Sequence, residues 1–266
     1  MNCIFCKCDS SSSVSVEHII PESLGNKEHV LPRGIVCDKC NNYFARKVEK
    51  PLLDFDFFIH ARVKNFLANK KGRVPTINNT FLLSPKPIRL QLSRDKDGSR
   101  SIYLIDEDRE AEFINYLQTH DSGTFVYPVA APVDSYLFSR FLAKVGLEVL
   151  ADKVMKVTGW RKGVIFNKQL DKLRHFARYG AINKNWPYQE RRLYEENHRF
   201  FDETNENYEV LHEFNTLYTE QQELYAVVII LGIEYAINLD GPEIDGYEKW
   251  LAENNHRSPL YPDGPI

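Results

Sequence analysis

The sequence predicts an α+β protein in which a small, zinc-stapled N-terminal module precedes a larger mixed α+β domain. Three observations carry this reading. Four of the five cysteines fall into two Cys-x-x-Cys pairs within residues 3–40, turn-bounded β-type runs recur over 76–130, and a helix-period apolar stripe starts at Leu137. The apolar (43%), aromatic (12%) and charged (27%) fractions suit a globular chain, and no proline-, glycine- or serine-rich run divides it. A chain of 266 residues accommodates two modest domains. The expected division is a module at 1–75, including a trailing helix, and a companion domain at 76–266.

The pairs Cys3-x-x-Cys6 and Cys37-x-x-Cys40 are separated by thirty residues. A Cys-x-x-Cys turn aims two thiolates at one centre, and two such turns supply the sulfur cage that zinc adopts in structural sites. The competing reading, disulfides, is weakened by so few cysteines in so long a chain and by the lack of a secretory pattern. Cys8 is left over as a free thiol. With four sulfurs committed, such a zinc has no open position, so chemistry has to come from the residues between the knuckles.

Ser15-Val16-Glu17-His18-Ile19-Ile20-Pro21 reads as a short β-type stretch ended by proline, with a carboxylate and an imidazole side by side. After the second knuckle, Cys40 to Glu49 reads as a helix with Asn41 or Asn42 as N-cap. Pro51 suits the first turn of a following helix, to about Lys70. The predicted module is therefore a β-hairpin followed by a helix.

This arrangement resembles the HNH, or ββα-metal (His-Me finger), endonucleases, in the subgroup with two Cys-x-x-Cys knuckles. Glu17-His18-Ile19-Ile20-Pro21 is similar to that family's Asp/Glu-His-Ile-x-Pro, and Cys37-Asp38-Lys39-Cys40-Asn41 to its Cys-x-x-Cys-His/Asn ending. The likeness covers roughly residues 3–50. It implies that Glu17 and Asn41 hold one catalytic Mg²⁺ or Mn²⁺, and that His18 is the general base for hydrolysis of DNA, with RNA not excluded. Pro32 stands where the family's middle asparagine is usual, and Asn26 is the candidate substitute. The chemistry agrees: carboxylate and amide oxygens are hard ligands, the ion stabilises charge on the phosphate, and an imidazole accepts a proton near neutral pH.

Plainer readings stand beside these: His18 as a packed histidine, Glu17 as a solvated strand residue, Asn41 as a helix cap. Asn42 rivals Asn41 for the ion. His29, in the intervening loop, is a candidate to orient phosphate or support His18. Arg33, Lys39, Arg46, Lys47 and Lys50 surround the motif as candidate phosphate contacts, although any one of them is equally a residue of a solvated helix face. Asp54, Asp56 and His60 read as the polar face of an amphipathic helix rather than an extension of the metal site.

Beyond residue 76, Ser84-Pro85-Lys86-Pro87 and Asp97-Gly98 punctuate runs such as Ile102 to Ile105, which predicts hairpins. Asp134 is the expected N-cap of a helix to about Lys156, buried along Leu137, Phe138, Phe141, Leu142, Val145 and Val149. A second helix follows Asn167, with Leu170, Leu173 and Ala177 on one face and Gly180 as its stop. Leu224 to Leu239, around Gly232, predicts a buried strand or hairpin pair.

Residues 1–73 hold 12 Lys/Arg against 8 Asp/Glu, a balance of +4, which leaves −7 for the rest of a chain of net charge −3. The basic excess coincides with the motif. The longest apolar run, Leu224 to Ile233, is too short to span a bilayer, so a cytoplasmic location without membrane contact is expected. The resemblance adds a role in restriction or phage defence, and cutting two strands with one site per chain makes a homodimer natural. The alternative is a zinc-stabilised nucleic-acid-binding module without catalysis.

Overall fold

The computed structural model describes residues 1–266 except 95–98, 127–132, 156–160, 181–183, 196–197, 202–203, 209 and 263–266. In chain order its elements are β1 (Glu17–His18), β2 (Val30–Leu31), α1 (Asp38–Phe44), α2 (Lys50–Leu53), α3 (Asp56–Lys64), β3 (Ile77–Phe81), β4 (Ile88–Arg94), β5 (Arg100–Leu104), α4 (Glu110–Thr119) and β6 (Phe125–Val126). There follow α5 (Ser135–Met155), α6 (Arg161–Phe166), α7 (Asp171–Tyr179), β7 (Tyr188–Arg192), β8 (Phe200–Phe201), β9 (Asn207–Tyr208), β10 (His212–Tyr218), β11 (Leu224–Ile230), β12 (Ile233–Asn238) and α8 (Asp245–Glu253). The mixed α+β class is as expected.

The chain forms two compact units: Met1–Pro21, Asn26–Leu52 and Asp134–Ile266 make one, Glu22–Gly25 and Leu53–Val133 the other. This division falls elsewhere than a cut at residue 76. The reason lies inside the first unit, where α5 is bonded to β1 and α7 to the first knuckle: Lys144 Nζ reaches Glu17 at 2.6 Å, and Arg174 Nε donates to Ile4 O at 2.7 Å.

In the first unit, β10, β11, β12 and β7 form an antiparallel sheet in that order. The register Ala226↔Ile237 and Val227↔Ala236 sorts the side chains by face. Tyr225, Val227 and Ala236 pack with Tyr247 and Leu251 of α8. The opposite face meets α5: the Phe138 and Tyr235 rings are 4.7 Å apart, and a Cβ on Gly146 would lie 3.2 Å from Ala226 and Ile237. Covered on both sides, β11 and β12 are buried at nearly every position, which is why they read as unbroken apolar runs. The turn between them needs positive φ at Leu231 (53°) and Gly232 (81°), and the glycine takes the second at no steric cost.

Helix α5 begins where expected, since the N–H groups of Tyr136 and Leu137 donate to Asp134 Oδ1 at 2.9 and 3.1 Å. It is no single-striped helix, because residues 141–150 are all buried. Helix α7 presents Leu173 and Ala177 inward and stops at Gly180, whose φ is +62°.

In the second unit, β5, β4, β3 and β6 form an antiparallel sheet, and Phe81, Ile88 and Leu90 pack against Phe113 of α4. The hairpin over Ser84–Pro87 is as expected, Asp97-Gly98 lies outside the described residues, and α4 was not foreseen. The helix expected from Pro51 to Lys70 is instead two: α2 ends at Leu53, and α3 runs from Asp56 only to Lys64. Phe55 (φ −71°, ψ 141°) is extended and breaks the run, and Phe66 (φ 54°) lies beyond its end.

No helix among the described residues is long and apolar enough to cross a membrane.

Candidate functional site

The four knuckle cysteines come together. The ligand atoms of Cys3, Cys6, Cys37 and Cys40 all lie within 4.8 Å of one another, and Cys6 Sγ is 3.7 Å from Cys37 Sγ. In a tetrahedral zinc thiolate with bonds of about 2.3 Å, the sulfurs lie about 3.8 Å apart. All five cysteines are free, so the cluster is not a pair of disulfides. It fits a structural zinc ion. Burial alone would raise the Cys3 thiol, yet the hydrogen bond with Cys40 outweighs it and brings Cys3 down to about 5, and the same contact raises Cys40. Cys8 stands outside the cluster, exposed, with Sγ 3.5 Å from Cys6 O.

Glu17 and His18 form β1 and pair with Leu31 and Val30 of β2. Helix α1 starts at Asp38, with Cys37 (φ −77°, ψ 155°) as its N-cap. Asn41 and Asn42 are therefore inside the helix rather than capping it, which corrects the expectation; the extended backbone at Cys37, a member of the cysteine cluster, fixes the start. From there α1 grips the strand leading into β1. Asp38 Oδ1 accepts from the N–H groups of Val14 and Ser15 at 3.1 and 2.8 Å, and from the Ser15 hydroxyl, which holds the Asp38 carboxyl below its ordinary range. Asn41 Nδ2 donates to Val16 O at 3.2 Å. Asn41, one turn into the helix, thus reaches the residue before Glu17. Asn42 is exposed.

Asn26, 1% exposed, ties the β1–β2 loop: its Nδ2 donates to Ile20 O at 2.7 Å and to His29 O at 3.0 Å, and its Oδ1 accepts from His29 N at 2.9 Å. The His29 ring meets Phe214 of β10 edge-on at 4.8 Å. Arg33, Lys39, Arg46, Lys47 and Lys50 are all exposed, and none is in an ion pair among the described residues. Asp54, Asp56 and His60 belong to no metal-sized cluster among the described residues, and they do not form the single helix face expected of them, because Asp54 lies between α2 and α3.

The residue that sequence reasoning missed is Lys144. From the buried helix α5 its Nζ lies 2.6 Å from Glu17 Oε1, 2.6 Å from Glu49 Oε1 and 3.1 Å from Glu148 Oε2, and it donates to His18 O at 3.2 Å. Both Lys144 and Glu148 are 0% exposed. Burial alone would discharge the ammonium, but Glu148, Glu17 and Glu49 outweigh it and keep Lys144 charged, while burial pushes the Glu148 carboxyl up. The signal was in the sequence: Lys144 and Glu148 are an i, i+4 pair inside the otherwise apolar run Leu142 to Ala151.

The Glu17 carboxylate and the Asn41 amide carbonyl are the hard oxygen donors that this segment offers a divalent ion. Both suit Mg²⁺ or Mn²⁺, which take few protein ligands and complete their shell with water and phosphate. Because Lys144 holds Oε1, an ion taken by Glu17 would share its carboxylate with an ammonium. A carboxylate ligand whose other oxygen is hydrogen-bonded is the usual way a ligand is oriented.

Residues 3–55 match the model of the HNH endonuclease family. The match spans both knuckles, β1, β2 and α1, and bears out over that segment the resemblance read from the motif. It points to a nuclease type of function and a nucleic-acid substrate. No curated protein and no solved structure matches the chain.

Proposed function

We propose that the protein is a metal-dependent endonuclease that hydrolyses DNA phosphodiester bonds. The observation that carries the reading is the anchoring of Asn41 on Val16 O, beside Glu17 and His18, within the four-cysteine frame of a segment that matches the HNH endonuclease family. His18 takes the proton from the attacking water as its oxygen bonds to phosphorus and the bond to the leaving oxygen breaks. Glu17 and Asn41 hold the ion, Mg²⁺ or Mn²⁺, which supplies charge stabilisation to the phosphate. Asn26 fixes the loop that carries His29. Arg33, Lys39, Arg46, Lys47 and Lys50 hold backbone phosphates. A place in restriction or phage defence goes with this activity.

The test is supercoiled plasmid incubated with Mg²⁺ or Mn²⁺, with His18→Ala and a sample lacking added divalent ion alongside. Nicked or linear product from the parent alone is expected. A His18→Ala protein that cuts at the parental rate overturns the assignment of the base. A zinc-loaded parent that binds DNA but cuts it with neither Mg²⁺ nor Mn²⁺ leaves the binding module as the reading.

A further inference from the structure

Residues 161–180 carry six Lys/Arg against one Asp, a balance of +5 within a chain of net charge −3. The single acid does not offset the rest, because Asp171 is already held by Lys7 Nζ at 2.5 Å and Arg174 Nη1 at 2.7 Å. Arg174 itself, 3% exposed, is spent on structure. Lys162, Lys168 and Lys172 are exposed, and no ion pair among the described residues involves them.

Helix geometry gathers part of this charge on one side of α7. On α7, Leu173, Phe176 and Ala177 are buried, and at 100° per residue Lys172, His175, Arg178 and Tyr179 share the opposite face. Two large aromatics lie among the cations, Phe166 at 51% and Tyr179 at 55% exposed. The Arg178 guanidinium sits 4.9 Å over the Tyr179 ring. Uncompensated cations at this density repel one another and call for a polyanion, and exposed rings beside them offer surfaces on which a sugar or base can rest. The face is also joined to the first knuckle, through Arg174 Nε to Ile4 O and Lys7 to Asp171.

We propose that Lys172 and Arg178 on the outer face of α7, with the exposed Lys162 of α6 and Lys168 of the turn between the two helices, form a DNA-backbone-binding platform attached to the first knuckle and separate from the cations around Glu17 and His18. The choice of DNA as ligand rests on the nuclease reading, but the binding does not require cleavage.

The experiment measures binding of a fluorescein-labelled 30-base-pair duplex by anisotropy across a salt series, without added Mg²⁺ or chelator, in a His18→Ala background. The platform variant is Lys162→Gln/Lys168→Gln/Lys172→Gln, and Lys70→Gln/Lys71→Gln/Lys86→Gln removes the same charge from other exposed positions. Since each phosphate contact contributes about 0.9 to the slope of log K against log salt, the platform variant should lose about 2–3 from that slope and about 100-fold in affinity at 0.1 M salt. The control should stay close to its parent. The proposal is overturned if the platform variant keeps the parental slope and affinity, if the control falls equally, or if the parent does not bind. Weakened binding by the platform variant, in a protein whose plasmid assay shows no cleavage, would sink the nuclease reading and leave the platform standing.

Discussion

Replacing Lys144 by Met removes an ammonium from the middle of three carboxylates while keeping a side chain of similar length. The distances of 2.6, 2.6 and 3.1 Å to Glu17, Glu49 and Glu148 mean that no water-filled gap softens the loss. Deleting one partner of a buried ion pair costs about 3–5 kcal/mol, since the remaining charge is left without compensation. Glu148, whose carboxyl burial pushes up, bears less of that cost, and Glu17 and Glu49 bear most of it. No tryptophan occurs in the sequence of the other unit, whereas Trp186 and Trp250 belong to the unit that contains Lys144, so tryptophan fluorescence in urea reports on that unit. With a slope of about 2–3 kcal/mol per molar, the midpoint should fall by about 1–2.5 M. Adding Glu17→Gln and Glu49→Gln to Lys144→Met should restore more than half of the loss, because the stranded charges are gone. A midpoint within about 0.3 M of the parent would refute the reasoning. A triple variant no better than Lys144→Met would trace the loss to packing instead of charge.

Three further outcomes follow from the structure. One zinc per chain should be released by thiol modification, and Cys37→Ser should unfold the unit that holds the knuckles while β3 to β5 keep their hydrogen-exchange protection; loss of protection throughout would contradict the division into two units. Arg174→Met should cost about 2–4 kcal/mol by urea melts, because the guanidinium bonds Ile4 O, Asn167 O and Val164 O; an unchanged midpoint would show those carbonyls to be satisfied otherwise. In the second unit the hydrogen bond from Arg89 holds the Asp106 carboxyl below its ordinary 3.8, so its stabilising contribution is present above that pH and is lost as pH falls through the depressed value. The thermal midpoints of parent and Asp106→Asn, read by circular dichroism, should therefore differ at pH 6 and converge in strong acid; a difference that persists at low pH would be unrelated to this charge.

The zinc cage was legible because ligand spacing is a local property: a Cys-x-x-Cys turn places its sulfurs together whatever surrounds it. The same holds for Asp134, whose side chain caps the helix it precedes, and for Gly180, which sits where positive φ is needed. The Glu17-His18 strand and the helix after Cys37 were equally local, although the start of that helix was set by the extended backbone of Cys37 and fell earlier than the asparagines suggested. The sequence by itself therefore determined the knuckles, the hairpin and helix between and after them, and the buried β-type run at 224–239, while the structure resolved that run into a pair of strands. Tertiary structure alone decided that α5 is buried on every side, that its Lys144 closes on Glu17 and Glu49, which lie roughly a hundred residues and more away in the sequence, and that Arg174 ties α7 to Ile4. Periodicity sees one element at a time, whereas a charge deep inside a helix is tolerated only for partners that the rest of the chain brings to it.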